Sequence, residues 1–191
     1  NLPTGRSNVF YLLGDSHAQS LVPMVHKALD TTPDLRDYTA KNVHIDAFSS
    51  IIDGDKPEDF EYVKLNSKPD DIILLNWYSG KFLDLNPVQY SNIQNYVQNF
   101  IISVTGNGAY VVLIRDNPTL RIPIRIDRCI FQDRIGLNNS CSIKKRLVLE
   151  RRSKQDKFWD QMLGNSKNSR VRVYDTSYDM CKSSFCDYKD S

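Results

Sequence analysis

Gly14-Asp15-Ser16-His17 is the stretch of this chain whose residue types and order state a chemistry. A serine hydroxyl becomes a nucleophile when a tight turn presents it, when unpaired N–H groups face the atom it attacks, and when a base takes its proton. The first two conditions can be read from the flanking residues. Asn8-Val9-Phe10-Tyr11-Leu12-Leu13 has the β-branched, aromatic and aliphatic content of a buried strand. Beyond the motif, Leu21, Val22, Val25, Ala28 and Leu29 recur at helical spacing. Ser16 is therefore expected on a strand-to-helix turn, where Gly14 relieves crowding and the helix N-terminus supplies N–H groups and a positive dipole end. The same residues also meet a plainer need, because Asp and Ser are common N-cap residues and Ser16 could simply cap the helix.

The elements that must hold this turn alternate along the chain. Val43 to Phe48 reads as a second strand, Asp71 to Trp77 as a third with a continuous apolar run, Ala109 to Ile114 as a fourth and Val171 to Tyr174 as a fifth. Between them the pattern predicts a short helix over 57–65, a helix over 91–105 ended by Gly106 and Gly108, and a long helix over 143–163. Such alternation argues for a doubly wound, five-stranded parallel sheet covered by helices on both faces. Sites in such folds lie at the C-terminal ends of the strands, where both Ser16 and Asn76 fall.

With 191 residues, 40% of them hydrophobic, the chain can bury a core as one domain. A net charge of +2 gives no reason to expect a nucleic-acid partner. The basic run from Lys144 to Arg152 is interrupted by Glu150 and followed by Asp156 and Asp160, and is read as a solvated helix face. Four cysteines fall in two close pairs, Cys129 with Cys141 and Cys181 with Cys186. They lack paired C-x-x-C spacing and a nearby histidine, so disulfides are favoured over a metal site. Oxidised cysteines point to a periplasmic, secretory-lumenal or extracellular setting.

Gly-Asp-Ser directly after the first strand of an α/β chain resembles the first motif block of the SGNH (GDSL-like) hydrolase and acyltransferase superfamily. The form Gly-Asp-Ser-His is similar to that of the SGNH domains fused to multi-pass membrane acyltransferases that decorate glycans. The cysteine pairs after the fourth and fifth strands are similar to those of the same domains. The resemblance implies a three-layer, flavodoxin-like SGNH fold spanning 1–191, with Ser16 as nucleophile. It also implies an oxyanion site made by the Ser16 N–H, a glycine after the second strand and an asparagine after the third. Asn76 matches that asparagine, although Trp77 follows it where the usual block reads Gly-x-Asn-Asp. Gly54 in Ile52-Asp53-Gly54-Asp55 is the matching glycine; Asp-Gly is equally an ordinary turn pair, and Ser49 or Ser50 could supply the N–H instead.

The function so implied is an extracytoplasmic O-acyltransferase, specifically an O-acetyltransferase, that moves an acyl group from a donor to a glycan through an acyl-serine. It needs no cofactor and no metal, and it is tethered through a membrane acyltransferase domain of the same polypeptide. An O-acetylesterase and a catalytically silent glycan- or protein-binding module are alternatives of the same fold. A phosphate-binding flavodoxin-like domain is a further reading, against which the lack of a Gly-rich loop or Walker lysine counts. Trp77, Tyr78 and Phe82 are either a platform for a sugar ring or core beneath the loop.

The general base departs from the family pattern. SGNH enzymes carry it in an Asp-x-x-His block after the fifth strand, and no such block stands before Ser191. His17 projects from the first helical turn, His26 lies on a helix and His44 in a strand, so none of the three fills the role. The block is expected downstream of Ser191, and the chain by itself is expected to be nearly inactive.

Non-reducing peptide mass spectrometry is expected to recover Cys129 linked to Cys141 and Cys181 linked to Cys186, with no reactive thiol in the native protein. Free thiols or bound zinc would overturn the reading of an oxidising compartment.

Overall fold

Five strands pair into one all-parallel sheet in the computed structural model, which describes residues 8–35, 37–44, 47–116, 143–166, 168–181 and 184–186. The chain runs through β1 (Asn8–Gly14), α1 (Ser16–Gln19), α2 (Val22–Thr31), β2 (Tyr38–His44), α3 (Ala47–Ile52) and α4 (Glu58–Asn66). It continues through β3 (Ile72–Asn76), a 3₁₀ turn at Ser79–Phe82, α5 (Pro87–Gly106) and β4 (Tyr110–Arg115). The last part holds β5 (Ile143–Lys144), α6 (Lys145–Ser166), β6 (Val171–Asp175), α7 (Ser177–Met180) and β7 (Phe185–Cys186). The sheet order is β2-β1-β3-β4-β6, while β5 and β7 form a separate antiparallel pair. Strand order reverses at β1, so the crevice between the C-terminal ends of β1 and β3 is the topological switch point where ligands bind in such sheets.

Strand alternation divides the core in two. Tyr11, Leu13, Ile73, Leu75, Val111, Leu113 and Val171 face the layer built by α3, α4, α5 and α6. Leu12, Leu74 and Ile114 face α1 and α2, packing on Ala18, Leu21, Val25 and Leu29. The first layer is strongly aromatic: Trp77 stacks between Phe60 and Trp159, with centroids 6.0 and 5.7 Å away. At α5, the Asn86 side chain accepts from the Gln89 N–H and the Gln89 side chain accepts from the Asn86 N–H, with Pro87 opening the helix.

The third, fourth and fifth sheet strands fall where the apolar runs predict them, but the second does not. The expected strand at 43–48 is displaced by β2 at Tyr38–His44, and Ala47, Phe48 and Ile51 instead bury one face of α3. Their i, i+1, i+4 spacing is helical, and the adjacent apolar pair Ala47-Phe48 concealed it. The single helix expected after Ser16 is two helices, broken at Ser20-Leu21 ahead of Pro23 in the first turn of α2. Arg152 also corrects the solvated-face reading of the basic run, because it is buried.

Gly14 is fixed by its neighbours. In the parallel register it sits opposite Asn76, its φ is +147°, and a Cβ built there would lie 1.8 Å from the Asn76 carbonyl oxygen and 2.8 Å from the Ala18 Cβ. Gly14→Ala therefore has to push β3 or α1 away from β1. We expect a loss of at least about 2 kcal/mol in urea unfolding, from the collision and the backbone conformation together. Gly106→Ala, where a Cβ meets nothing within 4 Å, is expected to be neutral or slightly stabilising in the same assay.

Candidate active site

Asp15 and not Ser16 caps the first helix. Its Oδ1 accepts the His17 N–H at 2.9 Å, and its Oδ2 accepts the Tyr78 N–H at 2.9 Å and pairs with Lys81 Nζ at 3.1 Å. One buried carboxylate thus joins the turn after β1 to the loop after β3. The plainer reading of the motif fails on this point: the Ser16 hydroxyl has no capping duty, and it is exposed. As the first residue of α1, Ser16 also keeps an N–H that the helix has no carbonyl to receive. An exposed hydroxyl beside a free helix-start N–H is suited to attacking a carbonyl and holding the resulting oxyanion.

Asn76 ends β3, the strand hydrogen-bonded to β1, so it lies at the same sheet edge as Ser16. Alternation puts it on the Leu74 side, the layer to which α1 contributes Ala18. It is completely buried, yet neither its Oδ1 nor its Nδ2 has a hydrogen-bond partner among the described residues. Leaving a buried amide unpaired costs roughly 1–3 kcal/mol per group, so such an arrangement persists where the amide has another use. Gly54 does not join them as an oxyanion donor. It closes the end of α3 with φ +94°, and its N–H is donated to the Ile51 carbonyl at 3.1 Å. Ser49 and Ser50 are both residues of α3.

The aromatic residues after Asn76 separate into core and surface. Trp77 and Phe82 are core, which removes them from any sugar platform, while Tyr78 is 40% exposed and lies 4.8 Å from the His17 ring. His26 is an exposed residue of α2, beside Phe10, Ala40 and Lys41.

Sequence reasoning missed the residue that ties the edge together. Asp116 directly follows β4 and is completely buried. Its Oδ1 meets His17 Nδ1 at 2.5 Å, its Oδ2 accepts the Ser79 N–H at 2.7 Å, and its own N–H donates to Gln155 Oε1 at 2.9 Å. Gln155 in turn donates from Nε2 to the Trp77 carbonyl at 2.6 Å. The signal was available, since a carboxylate directly after an apolar parallel strand occupies a strand's C-terminal end, as Ser16 and Asn76 do. Burial of the His17 ring opposes its protonation, but the Asp116 hydrogen bond and charge, with Asp15 behind them, outweigh burial and the repulsion from Lys81. The His17 pKa is consequently raised above its ordinary value.

Next to this lies a denser ionic cluster. Arg152 donates from Nη2 to Asp175 Oδ2 at 2.6 Å and to Ser177 Oγ at 3.3 Å, from Nε to Asp156 Oδ2 at 3.1 Å, and from Nη1 to the Asp116 carbonyl at 3.4 Å. Arg115 pairs with Asp156, Asp160 and Asp175. Burial pushes Asp175 up, yet the hydrogen bonds from Arg152 and Ser177 more than reverse this and leave its pKa lowered. At Asp156 burial prevails over both arginines and its pKa is raised. The cluster fastens α6 to the end of β6, where the chain turns into α7 and the Cys181–Cys186 disulfide. Cys129 and Cys141 lie outside the described residues. Among the described residues no group of His, Cys, Asp or Glu could hold a metal ion, and no helix is long and apolar enough to cross a membrane.

A parallel α/β sheet that offers an exposed serine at a helix start, beside a buried asparagine on the neighbouring strand, has the architecture of an SGNH-type domain. The chain matches the family model described as SGNH domain (fused to AT3 domains) over residues 2–191, and it belongs to that family. Neither a curated protein nor a solved structure matches it.

Removing Arg152 leaves the half-buried Asp156 and Asp175 with Arg115 as their remaining cation and empties a buried site. Arg152→Met is expected to lose about 1–3 kcal/mol of unfolding free energy at neutral pH. The lowered pKa of Asp175 contributes stability that is present above its unfolded value, about 3.9, and is lost as pH falls through the still lower folded value. The difference between wild type and variant should therefore narrow in acid, which denaturant titrations at neutral and acid pH will show.

Proposed function

We propose that this domain is an extracytoplasmic O-acyltransferase, most simply an O-acetyltransferase, that passes an acyl group to a glycan hydroxyl through an ester on Ser16. The observation that carries the reading is the pairing of an exposed Ser16, at a helix start that Asp15 caps in its place, with a buried Asn76 on the adjoining strand that has no hydrogen-bond partner among the described residues. Ser16 Oγ attacks the acyl carbonyl carbon, its proton passes to a general base, and the carbonyl π electrons move onto oxygen. That oxyanion is held by the Ser16 N–H and Asn76 Nδ2. Collapse re-forms the carbonyl and expels the donor oxygen, which takes up the proton, leaving acyl-Ser16. A sugar hydroxyl then repeats the attack, deprotonated by the same base, and Ser16 is released with its proton restored. We do not assign His17 as that base: it is the residue next to Ser16 on the same helical turn, where adjacent side chains do not face each other, and among the described residues its side chain makes no hydrogen bond to Ser16. We assign the role to the Asp-x-x-His block that the family resemblance implies after the last sheet strand. Fusion to AT3 domains in this family supports a membrane acyltransferase domain as the source of acyl groups, and the Cys181–Cys186 disulfide supports an oxidising compartment.

The test uses the full-length protein and an activated acetyl ester. Intact-mass measurement is expected to show an acetylated protein that Ser16→Ala abolishes. Asn76→Ala is expected to lower turnover by roughly a hundredfold with the fold intact, the scale of one oxyanion donor. Faster loss of the acyl group on adding polysaccharide marks a transferase, and a rate set by water marks an esterase. Equal activity in wild type and Ser16→Ala would overturn the enzymatic reading and leave a glycan- or protein-binding module.

A further inference from the structure

Asp116 is a completely buried carboxylate that the chemistry of Ser16 does not use. Among the described residues its side chain faces one cationic partner, His17; Arg152 reaches its backbone carbonyl instead, at 3.4 Å. A buried carboxylate left without a positive partner is strongly unfavourable, so the geometry calls for His17 as imidazolium, donating Nδ1–H to Oδ1. The other groups around the ring leave this assignment standing. Asp15 and Lys81 pair with each other at 3.1 Å, and Tyr78 lies against the ring at 4.8 Å. Nε2–H is then a second donor with no partner among the described residues. The His17 side chain is 24% exposed while that of Asp116 is not exposed at all, so the accessible edge of the ring is the one turned away from Asp116. His17 directly follows Ser16 at the start of α1, and its ring lies beside Tyr78 just past the end of β3, at the sheet edge that also carries Asn76.

We propose that His17 is a substrate-contacting cation of the Ser16 reaction, charged by its pairing with the buried Asp116 and donating Nε2–H to an oxygen of the acyl donor or of the acceptor sugar. The inference rests on Ser16 as nucleophile and adds a group that must be protonated while the general base must not be. Acylation should then rise with pH as the base loses its proton and fall again as His17 does. The raised pKa of His17 agrees with such an alkaline limb.

Two measurements test it. Ring ¹⁵N chemical shifts of His17 followed across pH in the full-length protein should show it protonated beyond the ordinary histidine range, and Asp116→Asn should move its titration to lower pH. The second-order rate of Ser16 acylation by an activated acetyl ester, followed by intact mass, should be bell-shaped in pH. In His17→Gln the alkaline limb should disappear and the rate at the former optimum should fall roughly tenfold, the scale of one charge-assisted hydrogen bond. Should Asp116→Asn fail to fold, His17→Gln alone decides the matter. A neutral His17 at pH 6, or an acylation profile that His17→Gln leaves unchanged, overturns the proposal while Ser16 chemistry stands. Absence of acyl-Ser16 at every pH overturns the proposed function itself, and this inference with it.

Discussion

The approach of β3 to Gly14 sets the geometry on which the rest of this domain depends. Because the Asn76 carbonyl occupies the space where any Cβ at position 14 would stand, β1 and β3 lock in one register up to their last residues. That register brings the start of α1 and the end of β3 to the same edge, and it lets Asp15 reach the Tyr78 N–H. A slip of one residue would turn Leu12 and Leu13 to the wrong layers as well as separating the site. The core and the crevice are therefore consequences of one contact.

Around that contact, carboxylates do the joining. Asp15 links the loops after β1 and β3, Asp116 links the same two loops to β4, and Asp175 links β6 to α6 through Arg152. Each is buried or nearly so and accepts a backbone N–H. Hydrogen bonds of this kind are stronger and more directional than apolar contacts, so they fix loop positions that packing alone would leave loose. The apolar layers below supply the driving force for folding, and the carboxylates decide where the chain ends meet.

The sheet was legible because parallel strands buried on both faces have to be apolar throughout, and the runs at 72–75 and 109–114 contain nothing else. The serine's turn was legible because a glycine, an acid and a hydroxyl after such a run suit a strand-to-helix turn, although only the structure shows that Asp15 does the capping. Asp116 and Arg152 were not, since their partners lie 99 and 23 residues away and nothing local marks a charge as buried. The second strand was misplaced for a related reason: Tyr38 and Ala40 are only half-buried at the sheet edge, so β2 carries less apolar signal than the helix that follows it. Gly54 illustrates a third limit. An Asp-Gly pair announces a turn, and only the hydrogen bond to Ile51 tells whether its N–H is still available.

Asp116 and Ile143 bound residues 117–142, and among the described residues Asp116 is held by His17, Ser79 and Gln155, and Ile143 by its pairing with Cys186. The entropic penalty for closing a segment between two fixed points grows only with the logarithm of its length. Doubling the chain length between these two anchors would therefore add only about 0.6 kcal/mol to the cost of closing it.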